Sequence, residues 1–86
     1  MPCISQFFGI AIYLYYSDHF PPHFHAEYGG SEALYEINTL RVYRGGLPRR
    51  AHSMVIEWAD LHRVELMENW ERARQGQPLV EIESLE

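Results

Sequence analysis

Eighty-six residues with 47% hydrophobic and 14% aromatic content make a chain too apolar for intrinsic disorder and long enough for one small domain spanning residues 1–86. The formal net charge of −5 opposes general attraction to nucleic acid, and no segment has the apolar length of a membrane span. The one cysteine, Cys3, excludes an intramolecular disulfide and suits a reducing cytoplasm, and no basic region precedes the first apolar stretch as a signal peptide requires.

From residue 7 to residue 16, Phe8, Ile10, Ile12, Leu14 and Tyr16 alternate with Phe7, Gly9, Ala11, Tyr13 and Tyr15, which predicts a first strand. Residues 18–22 form a connection stiffened by Pro21 and Pro22, and residues 23–28 form the second strand. Gly29-Gly30 supplies the positive-φ positions of a tight hairpin into a third strand, about 32 to 38. A weaker fourth strand carries Leu40 and Val42 and ends at Gly45-Gly46. Pro48 then opens a helix whose apolar stripe runs through Ala51, Val55, Trp58, Ala59, His62, Leu66, Trp70 and Ala73. Arg72, Arg74, Gly76 and Pro78 mark its end near residue 75, and Asp60 offers a cap for a second helix if the stretch breaks near residue 60. The expected fold class is α+β, a four-stranded antiparallel meander with the C-terminal helix packed on one face. Residues 79–86 either add an edge strand or trail over the surface.

Three of the five histidines fall in residues 18–28, beside Asp18 and Glu27. The period of two puts His23, His25 and Glu27 on one face of the second strand and Phe24, Ala26 and Tyr28 on the other. Tyr13, Tyr15 and Glu36 belong with the histidines. All seven basic residues are arginine, and Arg41, Arg44, Arg49 and Arg50 fall within ten positions, a patch suited to carboxylates or phosphates.

Met1-Pro2, Ile4-Ser5 and Phe7-Phe8-Gly9-Ile10, the segment from Asp18-His19 through Pro21-Pro22-His23-Phe24-His25-Ala26-Glu27-Tyr28, Leu47-Pro48-Arg49-Arg50-Ala51, and Glu57-Trp58-Ala59 with Leu61-His62-Arg63 and Asn69-Trp70 occur in this order. Over nearly its whole length the chain resembles the small bacterial family called domain of unknown function 4160. That resemblance implies a neighbouring gene for a small protein of domain-of-unknown-function family 2442, the pair resembling a type II toxin–antitoxin module. It carries over no catalytic residues, and residues 39–44 are more basic here than in relatives.

Three readings of the site follow. His19, His23 and His25, with Glu27 or Asp18, have the side-chain types of a zinc site, although ligands two apart on a strand lie roughly 6–7 Å apart and must converge. His23, His25 and Glu27 have the types needed for general acid–base cleavage of RNA, against which stand the acidic face and the absence of lysine. Tyr13, Tyr15, His25, Arg41, Arg44, Arg49 and Arg50 suit a protein interface, which demands the fewest special geometries. The expected function is therefore specific binding of the cognate partner within a two-gene module, as either its toxin or its antidote, with RNA contact the less favoured alternative. His52 is expected to be solvated and His62 to be a hydrogen-bonded core residue.

Overall fold

A computed structural model describes residues 3–16 and 19–86, so the Met1-Pro2 start and Asp18 lie outside the described residues. Five strands, β1 (Cys3–Phe7), β2 (Ile10–Tyr13), β3 (His23–Tyr28), β4 (Ser31–Glu36) and β5 (Val42–Gly45), form one antiparallel sheet in sequence order. Two helices follow, α1 (Arg49–Leu61) and α2 (Arg63–Arg74). The α+β class is as expected, but the strand and helix counts are each one higher.

The extra strand comes from a turn hidden in the alternating segment. Phe8 and Gly9 have φ of 49° and 80°, and Phe7 pairs with Ile10, a two-residue hairpin of the kind that positive φ at both central positions permits. Paired residues project from the same side, so the turn shifts the side-chain phase by one. Phe7 consequently joins Ile10 in the core, while Phe8 is exposed. The second hairpin lies where expected, with Tyr28 paired to Ser31 across Gly29-Gly30, but only Gly29 takes positive φ, at 59°.

The core-facing side chains of the sheet, Ile4, Phe7, Ile10, Ile12, Leu14, Phe24, Ala26, Ala33, Tyr35 and Ile37, are buried against Ala51, Val55, Trp58, Leu66 and Trp70 of the helices. Trp58 packs between Phe7 and Phe24 at ring separations of 5.4 and 5.9 Å. The helices part at His62 (φ −126°), and Asp60 caps neither of them but pairs with Arg63 at 3.1 Å. His62 is half-buried beside Trp58 and contacts Glu65, so it borders the core without entering it. At the far end Gly76 takes φ 71°, its N–H bonds Ala73 O and that of Gln77 bonds Arg72 O, which satisfies the last carbonyls of α2.

Residues 79–86 make no strand but are pinned at several points. Asn69 donates to Val80 O and accepts from Val80 N, Trp58 Nε1 donates to Glu83 O, and Ile82 N donates to Ile4 O. The last of these lies on the outer side of β1. Among the described residues no helix is long and apolar enough to cross a membrane.

Candidate functional site

With the helices on one side, the other side of the sheet collects the titratable residues by register. Tyr13 pairs with His25, His25 with Leu34 and Leu34 with Arg44, giving one row across four strands. A neighbouring row sets Ala11, Glu27 and Glu32 abreast, and His23 pairs with Glu36. Like charges opposite one another destabilise a sheet, and the Glu27–Glu32 pair is relieved by the diagonal contact of His25 Nδ1 with Glu32 Oε2 at 3.3 Å. Glu32, which the sequence reasoning passed over, is thus the carboxylate that orients His25. The hairpin register alone would have placed it there.

Aromatic rings join these rows into a ribbon. Tyr13 stacks on Tyr15 at 6.2 Å, Tyr15 meets His25 edge-on at 4.5 Å, and His25 lies 5.2 Å from His23. The His23 ring contacts His19, Tyr43 and Trp70 at 6.2, 5.3 and 5.4 Å, and Phe20 continues from Trp70 at 6.0 Å, with the Arg74 guanidinium over its face. Tyr16, Phe20 and Tyr43 are exposed, whereas His23 is only 1% exposed. His23, expected on the same strand face as His25, is covered there by rings from β5 and α2.

A carbonyl and a carboxylate only accept, so His23 Nδ1 donates to Pro21 O at 2.7 Å and His25 Nδ1 donates to Glu32. Both tautomers are thereby set. Glu27 enters neither bond, so His23, His25 and Glu27 share a strand face without forming a hydrogen-bonded relay among the described residues. Its charge acts on Tyr13 instead: desolvation first, then Glu27 and Cys3, raise that phenol above its usual value. Among the described residues no group of three or more His, Cys, Asp or Glu side chains is placed to hold a metal ion, and Asp18, a carboxylate considered with His19, His23 and His25 for zinc, lies outside them.

Arg41, Arg44, Arg49 and Arg50 are all exposed, the first two flanking and within β5 and the others in the first turn of α1. Among the described residues none of them forms an ion pair. Their charge is uncompensated locally, and α1 has no acidic residue in its first turn.

His52 departs from the solvated role expected for it. Its Nδ1 is hydrogen-bonded to Tyr35 Oη at 2.8 Å, and its ring stacks on that of Tyr35, which stacks on Phe24. Burial pushes the Tyr35 phenol up to about 12 from an ordinary value near 10. Between those values the folded chain keeps a proton that the unfolded chain has released, so stability is complete below pH 10 and falls as pH rises toward 12. Allowing for screening near the protein surface, the loss is about 1–2 kcal/mol. Tyr35→Phe is expected to flatten this part of the alkaline unfolding curve, as measured by denaturant titration across that pH range. An unchanged slope would place the alkaline sensitivity elsewhere.

A groove of about 550 Å³ lies between β1 and the C-terminal segment, lined by Cys3, Ser5, Gln6 and residues 81–84, and it contains none of the histidines. Residues 9–71 match the family model described as Domain of unknown function (DUF4160). No curated protein and no solved structure matches the chain.

Proposed function

The chain belongs to the DUF4160 family, and from the surface just described we propose that it acts mainly by specific binding of a cognate protein partner. The setting is a type II toxin–antitoxin-like two-gene module of the bacterial cytoplasm, and the partner is the small DUF2442-type protein encoded beside it. The observation that carries this reading is the ribbon of tyrosine and histidine rings on the face the helices leave uncovered. Tyrosine and histidine combine an apolar body with a polar tip, so they tolerate water when free and exclude it when bound. The arginine patch at one margin and Glu27, Glu32 and Glu36 within the face supply charge for partner discrimination.

Co-expression of the two proteins should yield a complex, and Tyr15→Ala or His25→Ala should each weaken it by about 1–2 kcal/mol, read by titration calorimetry on the purified pair. Any effect of this chain on growth should follow the affinity of the variants. Set tautomers at His23 and His25 also suit proton transfer, which supports ribonuclease chemistry as the alternative. Unchanged partner affinity with loss of RNA cleavage in His25→Ala would favour that alternative and overturn the interface reading.

A further inference from the structure

We infer that the partner is held through an extended acidic segment that adds as a sixth strand along the outer edge of β5. This inference rests on the partner-binding reading and specifies the chemistry of what is bound. Among the described residues, only β1 and β5 are edge strands. On the outer side of β1 the chain's own C-terminal segment already sits, with Ile82 N donating to Ile4 O and neighbouring residues tied to Trp58 and Asn69. All four residues of β5 are exposed, and its ladder runs to β4 alone. An edge of this kind offers main-chain donors and acceptors to an incoming strand.

Charge selects the strand. Arg41 and Arg44 lie along this edge, Arg49 and Arg50 follow at the start of α1, and none has a carboxylate partner among the described residues. Two copies of the chain meeting edge to edge would bring these cations together, which disfavours self-pairing. An extended segment with alternating carboxylates would instead place them against the guanidinium forks. The edge also adjoins the ribbon. The register shift between Leu34 and Tyr35 leaves Tyr43 as an extra residue, and its ring stands edge-on to His23. A strand docked on β5 would therefore lie beside the aromatic face and extend the same interface.

The test uses the intact chain, isotopically labelled for amide NMR, and a short synthetic peptide alternating glutamate with valine. Binding should shift the amides of residues 42–45, and Arg41→Glu or Arg44→Glu should each weaken it about tenfold or more. Methylating alternate peptide amides, which removes main-chain donors and keeps the charge, should weaken binding to a similar degree. Equal binding of the methylated peptide would overturn strand addition in favour of charge alone. Equal binding of a single-stranded RNA of matched charge would make the edge a nucleic-acid surface, and shifts centred on residues 3–7 would mean displacement of the C-terminal segment. Absence of peptide binding would overturn the inference as well. If the cognate complex still forms and still weakens with Tyr15→Ala, the partner reading survives that failure; if no complex forms, the partner reading itself fails.

Discussion

Trp58→Ala is expected to destabilise the protein by about 3–5 kcal/mol, a large part of the stability a small domain commands. The indole is fully buried, packs on Phe7 and Phe24, and donates its N–H to Glu83 O, so its removal opens a cavity and releases the C-terminal segment at once. A milder pair of variants separates the two effects. Trp58→Phe leaves Glu83 O without its donor, whereas the Trp70 N–H is buried with no acceptor among the described residues, so Trp70→Phe forfeits no hydrogen bond there. Trp58→Phe should therefore cost more than Trp70→Phe, by about 1 kcal/mol, in chemical denaturation. A Trp58→Ala chain that unfolds at the native midpoint would show that this side chain does not anchor the helices to the sheet.

The helix stripe was legible in the sequence because its signal is periodic and dominated by burial: Ala51, Val55, Trp58, Ala59, Leu66, Trp70 and Ala73 are all core residues. The same holds for Gly29 and Gly76, where positive φ favours glycine, whereas Gly30 does not take positive φ. The Phe8-Gly9 turn was not legible, because Phe is an unusual residue for φ 49° and the alternation runs through it without an obvious interruption. A one-residue phase change at that turn moved Phe7 to the core and added a strand. The break at His62 carries neither glycine nor proline, so periodicity alone left its position open. At the site, the period of two correctly gathered Tyr13, Tyr15 and His25, but the bond between Tyr35 and His52 joins residues 17 apart and has no local signature. The contact of Trp70 with His23 is longer still in sequence. Tertiary contacts of this kind decide which histidines are covered, and pattern reading has no access to them.

Gly45→Ala should destabilise by about 2–4 kcal/mol, and the loss should be concentrated at β5. Gly45 has φ 72°, and a Cβ built there would lie 2.2 Å from Glu32 O, a backbone atom of the paired strand. No rotamer change relieves such a contact, so either β5 withdraws from β4 or the backbone leaves its left-handed conformation. Both break the pairing of Ala33 with Gly45 and the bond from Gly46 N to Glu32 O. Gly46→Ala is the matched control, since a Cβ there meets nothing within 4 Å, and its effect should stay within about 0.5 kcal/mol. Hydrogen exchange should then show faster opening of residues 42–45 in Gly45→Ala and native protection in Gly46→Ala. The two variants also bear on the bound strand, because an edge can template another chain only while it is held in register. Gly45→Ala should lose the glutamate–valine peptide even though Arg41 and Arg44 remain, and Gly46→Ala should keep it. Retained peptide binding with β5 demonstrably open would mean that the arginines act as a charged patch without the strand, and native protection in both variants would refute the close approach at Glu32 O.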